Sequence, residues 1–467
     1  MPLPLQNRLP SIVSVKRPVL HGVFGALTKS LVHVRQLREA QWWEKSQVQQ
    51  TQWQLLTDLV SHAISHVPYY DDVLADTELA RGGILSAAEF VTMPLLDKEI
   101  LSERFESLKA NDTRRVKQQV NTSGGSTGTP ARFLQDSEFY DWSRGVKIFF
   151  DEWTGYRLAD RRAILWGAER DLLDGRRDVR KQARDWLTNS LLLNSFSMGA
   201  EEMERYLVNI EEFKPTQILA YAESIYELAR YAESQRRHIS SPPVAVMSTA
   251  GTLTAEMRRT IEQVFRCPVF NRYGSREAGD IACECFERQG LHVSPLTHYL
   301  EILDERGEPV RAGEIGEIVV TVLRNYSMPL IRYRIGDMAT WALEPCSCGR
   351  EWPLLGRVAG RVSDHFATSD GRLVHGEFFT HLMYHRSWAR KFRFIQQAFD
   401  LVELKVQLAP GYDPTDQVIL ADLHEIKADV RRALSDTAQL QTTFVDSLKP
   451  TGSGKFRYTI SHCRLRA

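Results

Sequence analysis

The chain has 467 residues, about three times an ordinary single domain, so two or three folding units are expected. Hydrophobic residues make up 43% and charged residues 25%, and the 28 Gly and 19 Pro are scattered, which excludes a collagen-like repeat and extended disorder. The 59 Lys and Arg balance 59 Asp and Glu. No global field therefore draws the chain onto nucleic acid or an anionic membrane, no run approaches the roughly 20 apolar residues of a span, and with no secretory pattern at the N-terminus a cytoplasmic protein is expected.

In chain order, Val19, Leu20, Val23, Phe24, Leu27, Leu31 and Val32 lie among Lys and Arg, a pattern that predicts an amphipathic helix packed on the main domain. A clearer helix follows, with Trp53, Leu56, Val60, Ala63, Ile64 and Val67 at three- and four-residue steps until Pro68 ends it. Between 200 and 275 the pattern alternates. Helices are expected through Met203, Leu207 and Ile210, through Tyr226, Leu228 and Ala229, and through Met257, Ile261 and Phe265, with apolar strands at 217–221, 244–248 and 268–271. Such alternation predicts a parallel or mixed sheet covered by helices. Strands at 317–323 and 330–335 suggest a β-rich subdomain, and after Gly360 paired strands at 391–397 and 402–408, a helix face of Leu423, Ile426, Val430 and Leu434, and a strand at 442–446 suggest a small α+β domain. No internal repeat or low-complexity segment is present. The expected organisation is an α/β fold with a large domain over 1–360 and a small one over 361–467.

Residues 121–131 read NTSGGSTGTPA. Gly124, Gly125 and Gly128 can take positive φ and turn backbone N–H groups toward one centre, and Thr122, Ser123, Ser126 and Thr127 add hydroxyl donors, so the run is suited to cradle phosphate. It lacks the Gly-Lys-Ser/Thr ending of a P-loop NTPase and does not fit GxGxxG. Neither a Walker-type kinase nor a dinucleotide dehydrogenase follows from it.

This run resembles the phosphate-binding loop of the adenylate-forming superfamily of acyl-CoA synthetases, luciferases and peptide-synthetase adenylation domains, in particular phenylacetate–CoA ligases and their relatives in capsular-polysaccharide gene clusters. The family's other motifs follow in order over nearly the whole chain. NRYGSREAG at 271–279 resembles its aromatic-Gly-x-Thr-Glu motif, which implies that Tyr273 stacks on adenine, that Asn271, Arg272 and Gly274 border the nucleotide, and that Glu277 holds Mg²⁺. Arg276 stands where the wider superfamily has Thr, so a guanidinium replaces a hydroxyl at the phosphates. Ala250 and Gly251 would lie along the adenine edge. RYRIGD at 332–337 resembles the ribose motif, with Asp337 accepting from both ribose hydroxyls. GRVSD at 360–364 matches the hinge between domains, with Arg361 as a ribose or phosphate contact and the hinge acid displaced to Asp364. PTGSGKF at 450–456 resembles the C-terminal motif whose Lys, here Lys455, stabilises charge on the reacting phosphate and carboxylate oxygens.

The resemblance implies the superfamily's fold, a large αβ domain with a β-rich subdomain and a small mobile C-terminal domain. It also implies an ATP-dependent, AMP-forming ligase that activates a carboxylic acid and transfers it to an amine, coenzyme A or a carrier-protein thiol. Mg²⁺ accompanies ATP, and by family position Trp166, Ala220, Tyr221, Ser248 and Thr249 border the acyl pocket. LWGAERD at 165–171 and the turn Cys346-Ser-Cys348-Gly349 resemble the polysaccharide-cluster members and favour an amine acceptor such as an amino sugar. Three thiolates and an imidazole, Cys285, His292, Cys346 and Cys348, suit a closed structural Zn²⁺ site; free buried thiols are the alternative, with Cys283 a possible substitute ligand. A silent nucleotide-binding regulator and a zinc-dependent scaffold are the rival readings, and the joint presence of Lys455, Asp337 and Glu277 speaks against loss of catalysis.

Overall fold

The computed structural model describes residues 28–463 apart from 79, 83–84, 113–116, 123–130, 167–187, 196–197, 362–365, 370–372, 375, 384–385 and 449–456. The longer helices are numbered α1 to α7. Most of the expected N-terminal helix lies outside the described residues. What is described, α1 (Ser30–Ala40), buries Val34, Leu37 and Ala40, the last two in the same core as Trp142, Val146 and Phe149 of α3 (Ser137–Trp153). Helix α2 (Lys45–His66) ends where expected: Pro68 restricts Val67 to extended backbone, here φ −116° and ψ 111°.

A short hairpin, β1 (Gln118–Thr122) with β2 (Arg132–Asp136), precedes α3. The main sheet has eleven strands. Five are parallel and lie in the order β4 (Ser190–Asn194), β3 (Arg162–Trp166), β5 (Gln217–Tyr221), β6 (Ala245–Thr249) and β7 (Val269–Ser275). The sheet then continues antiparallel through β8 (Gly279–Glu284), β9 (Leu291–Val293), β13 (Leu354–Arg361), β12 (Tyr333–Trp341), β11 (Ile315–Val322) and β10 (His298–Leu303).

Strand alternation divides the core. On one face Ala163, Leu165, Ile218, Ala220, Val246 and Val269 pack with the apolar stripes of α4 (Ala200–Phe213), α5 (Ala222–Ser234) and α6 (Ala255–Phe265). On the other, Leu219, Met247 and Phe270 meet α3. The central parallel strands β5 and β6 are buried on both faces, which is why they read as continuous apolar runs.

The strand expected at 330–335 instead runs from Tyr333 to Trp341. The preceding segment cannot stay extended, because Arg332 takes φ +50° and Asn325 donates from Nδ2 to the carbonyls of Leu134 and Met328 at 2.8 and 3.0 Å, fixing a loop.

Beyond the main sheet, β14 (Phe366–Ala367) pairs with β15 (Leu373–Val374). A four-stranded sheet follows in the order β18 (Gln439–Phe444), β17 (Leu401–Leu408), β16 (Ala389–Ala398), β19 (Thr459–Ser461). Helix α7 (Gln417–Leu434) covers it, packing Ile419, Ile426, Val430 and Leu434 with Phe394, Val402, Leu404 and Val406. This is the expected α+β unit with its own core. Among the described residues no helix is long and apolar enough to cross a membrane.

Candidate active site

The motifs converge where β7 ends. Tyr273 lies near the C-terminal end of β7 and Asp337 on β12, and the phenol of Tyr273 donates to Asp337 Oδ2 at 2.8 Å. Residues 64 apart in sequence thus present an aromatic ring and a carboxylate side by side. Asp337 is also paired in register with Arg361 of β13.

The turn after Tyr273 is braced from two sides. Gln135 of β2 donates from Nε2 to the carbonyls of Arg276 and Glu277 at 2.9 and 3.2 Å, and its Oε1 accepts from Asn121 Nδ2 at 2.7 Å. Asn121 also donates to the Tyr140 hydroxyl at 2.8 Å. From below, His298 bonds the Ala278 carbonyl through Nε2 at 2.8 Å, and its Nδ1 faces the Thr297 hydroxyl at 2.9 Å. Burial pushes the His298 pKa down to about 4, so the ring is neutral near pH 7 and its Nε2–H donates. Glu277 is thereby held buried while Arg276 stays exposed.

The sequence pattern alone does not mark Gln135, Tyr140 and His298. The available signal was an amide inside the apolar strand FLQD, since a buried amide must find partners. The ends of the glycine-rich segment are fixed by the pairing of Thr122 with Arg132. Ser123, Gly124, Gly125, Ser126, Thr127 and Gly128 lie outside the described residues, as does Lys455.

At the end of β6, Ala250 adopts φ +63° and is followed by Gly251. The Glu223 carboxylate occupies the space beside Gly251: a Cβ there would come within 2.3 Å of Oε1, so any larger residue would displace that carboxylate.

Two groups of expected site residues are sorted differently in space. Arg272, expected beside the nucleotide, alternates with Tyr273 and projects to the other face of β7. There it is buried, 3.4 Å from Asp151 Oδ1 and 3.3 Å from Asp280 Oδ1, so its side chain is engaged by those two carboxylates. The acyl-pocket set also divides. Trp166, Tyr221 and Thr249 share the face covered by α3, and Trp166 and Tyr221 rings lie 4.2 Å apart, whereas Ala220 and Ser248 alternate onto the face covered by α4 to α6.

A second constellation gathers thiols and an imidazole. Cys285, His292, Cys346 and Cys348 bring one ligand atom each to within 4.8 Å of one another. Cys285 Sγ is 3.5 Å from Cys346 Sγ, and Cys348 Sγ is 3.4 Å from His292 Nε2. Bonds of about 2.0–2.3 Å around tetrahedral Zn²⁺ span edges of about 3.3–3.8 Å, so the donor set and these two distances fit the ion. Burial pushes the Cys285 thiol up to about 12; at Cys348 burial is outweighed by hydrogen bonding to His292 and Arg350, which brings the thiol down to about 5. Cys283 is not in the cluster: it is buried with its thiol toward the Glu284 carbonyl, on the apolar side near Arg272.

The AMP-binding enzyme family matches residues 190–323, and the CapK C-terminal domain matches 366–462. Protein CapK of Staphylococcus aureus is 23% identical over 405 residues, covering 85% of each chain. The phenylacetate-coenzyme A ligase of Thermus thermophilus is 24% identical over 425 residues, covering 85% of this chain and 91% of that one. Among solved structures, 2-hydroxyisobutyryl-CoA ligase in its postadenylation state shares the fold with a TM-score of 0.67 at 16% identity over 88% of both chains. The anthranilate CoA ligase AuaEII bound to anthranoyl-AMP has a TM-score of 0.52 at 18% identity, over 72% of this chain and 65% of that one. The ordered motifs, the two matching family models and these relatives support a place in the adenylate-forming superfamily, in the branch of the phenylacetate–CoA ligases and CapK.

Proposed function

We propose that the protein is an ATP-dependent, AMP-forming ligase. A substrate carboxylate attacks the α-phosphorus of ATP, the bond to the β-phosphate oxygen breaks, and pyrophosphate leaves; an amine or thiol then displaces AMP from the acyl adenylate and releases a proton. The observation that carries this reading is the Tyr273–Asp337 hydrogen bond, which sets a ring suited to adenine beside a carboxylate suited to ribose at the C-terminal edge of the parallel strands, where open α/β sheets bind ligands. In this reading residues 122–128 cradle the phosphates, Ala250 and Gly251 border the adenine, Glu277 holds the magnesium that accompanies ATP, and Arg276 faces the phosphates. Arg361 marks the pivot of a small domain, 361–467, that carries Lys455. No protein nucleophile is needed; positioning and charge stabilisation supply the rate. The resemblance to CapK favours an amine acceptor, such as that of an amino sugar, over coenzyme A.

The test is incubation with ATP, Mg²⁺ and a panel of carboxylic acids, with coenzyme A or amines as acceptors, following AMP by chromatography. Asp337→Ala should weaken ATP binding at least tenfold, because it removes two charge-assisted hydrogen bonds to the ribose of about 1.5–3 kcal/mol each. Use of 2′,3′-dideoxy-ATP, which lacks those hydroxyls, should be poor in the parent and hardly change further. Equal impairment with both nucleotides would remove Asp337 from the ribose site.

We further assign the Cys285, His292, Cys346 and Cys348 cluster as a closed structural zinc site, supported by its donor set and spacing. With four protein ligands no position is left for substrate, so the ion would stabilise the fold around β8, β9 and the 346–349 turn. Metal analysis should give about one zinc per chain, and Cys348→Ser should lower metal content and thermal midpoint together. A zinc-free protein of ordinary stability would end this assignment.

A further inference from the structure

Helix α2 carries His62 and His66 in its last two turns, four residues apart and therefore on one face, with ring centroids 4.8 Å apart. The chain returns to this end of the helix shortly before β1. There the Asn111 N–H donates to the His66 carbonyl at 2.7 Å, and the next residue is Asp112. This backbone bond is what brings a carboxylate beside the two imidazoles. His62, His66 and Asp112 each offer one ligand atom, and the three atoms lie within 4.8 Å of one another. All three residues are half-buried. The group shares no residue with the Cys285, His292, Cys346 and Cys348 cluster, nor with the residues assigned to the nucleotide.

A third segment fixes the orientation of His62. Its Nε2 faces the Tyr326 carbonyl at 2.9 Å, and its ring meets the Tyr326 ring edge-on, with centroids 5.0 Å apart at 77°. A carbonyl only accepts, so Nε2 carries the proton and the lone pair belongs to the other ring nitrogen. An imidazole that gives one N–H to a carbonyl and directs its second nitrogen elsewhere has the form usual in metal-bound histidines. The same loop braces the hairpin that flanks the glycine-rich run. The Tyr326 and Ser327 N–H groups donate to Asp136 Oδ2 of β2 at 3.1 and 3.2 Å, and Gln118 Nε2 of β1 donates to Ser327 Oγ at 3.0 Å. An ion held by the three side chains would therefore tie the end of α2 to the chain entering β1, against a loop that holds both strands of the hairpin.

Two imidazoles and one carboxylate suit a borderline divalent ion such as Zn²⁺, Co²⁺ or Ni²⁺, whereas Mg²⁺ takes oxygen ligands. Two histidines four residues apart on one helix face are themselves a zinc-binding pair, and a carboxylate is a common third ligand. Bonds of about 2.0–2.2 Å set edges of about 3.3–3.6 Å around a tetrahedral ion. Separations of up to 4.8 Å close to that range by small torsional movements of half-buried side chains. We propose that His62, His66 and Asp112 form a second metal site of this protein, one that takes Zn²⁺ or an ion of its class and leaves the remaining coordination to water. With three protein ligands at a half-exposed position, the ion exchanges with solution, unlike one enclosed by four ligands. The site stands independently of the ligase reading.

Co²⁺ is the probe, because its absorption separates the two kinds of site: thiolate ligands give an intense sulfur-to-metal charge-transfer band, and imidazole with carboxylate gives only weaker d–d bands. Full-length protein free of any histidine tag is titrated with Co²⁺ as purified, and the d–d absorption is followed to saturation. The expected result is one ion per chain bound without a charge-transfer band and displaced by added Zn²⁺. His66→Gln and the isosteric Asp112→Asn should each weaken that binding at least tenfold while leaving any charge-transfer band as it is in the parent. Unchanged thermal midpoints before metal is added verify that the variants are folded, and Asp112→Asn alone decides if the histidine variant is not. A parent that binds no saturable Co²⁺ outside the thiolate cluster overturns the proposal. So does a folded variant that binds the ion as tightly as the parent, since the ion would then be held by other surface groups.

Discussion

Lys455→Ala should lower the rate of acyl-adenylate formation by about a hundredfold or more, the loss typical when one preorganised donor to developing charge is removed. While the carboxylate attacks the α-phosphorus, negative charge gathers on the phosphate oxygens between the two reacting groups. In the proposed reading the carboxylates of Asp337 and Glu277 add negative charge beside the phosphates, so the cation of Lys455 has a large task even with Arg276 nearby. In the second half-reaction that charge departs with AMP, and Lys455 is no longer required. Transfer from a presynthesised adenylate to the acceptor should therefore proceed close to the parent rate. Pyrophosphate-exchange kinetics report the first step, and single-turnover transfer reports the second. Equal losses in both would remove the two-state use of the small domain.

The largest effect on stability is expected at Arg332. Its guanidinium meets Glu301 through Nε–Oε2 at 3.0 Å and Nη2–Oε1 at 2.9 Å, and it donates to the carbonyl of Val91 at 2.6 Å and to that of Met93 at 2.5 Å. Both side chains are buried. The pair ties β10 to the segment before β12, five residues ahead of Asp337, and to the chain ahead of Leu96. Arg332→Met leaves Glu301 and the two carbonyls unpaired inside the protein, and breaking a buried pair in this way costs about 3–5 kcal/mol. The urea midpoint of the unfolding step that includes the main sheet should fall accordingly. Adding Glu301→Leu removes the stranded carboxylate and should recover part of the loss. A double variant no more stable than Arg332→Met would show that the unpaired charge is not the origin of the cost.

Much of this molecule was legible from local pattern. The strand at 217–221 is where the sequence places it, and the helices after it bury the apolar stripes that predicted them, because helix and strand periodicities are set by neighbours a few residues away. The order of the motifs identified the superfamily for a related reason: each motif is a short segment whose backbone and side chains do one task. The expected strand at 330–335 failed because loop bonds from Asn325 and the left-handed backbone of Arg332, invisible to hydropathy, decide where β12 begins.

What the sequence determined alone was therefore the inventory: a sheet covered by helices, a small α+β unit after Gly360, and a set of residues suited to nucleotide, acid and metal. Which of them act together was decided only by tertiary structure. Tyr273 meets Asp337 across 64 residues, and Cys285 meets Cys346 across 61. Strand alternation turns Arg272 to the face opposite Tyr273 and separates Ala220 and Ser248 from Trp166, Tyr221 and Thr249, and one passed-over residue in the β7–β8 pairing swings Asp280 toward Arg272. A one-residue change of register moves a side chain to the opposite face of a sheet, and register is set by pairing between distant segments rather than by composition.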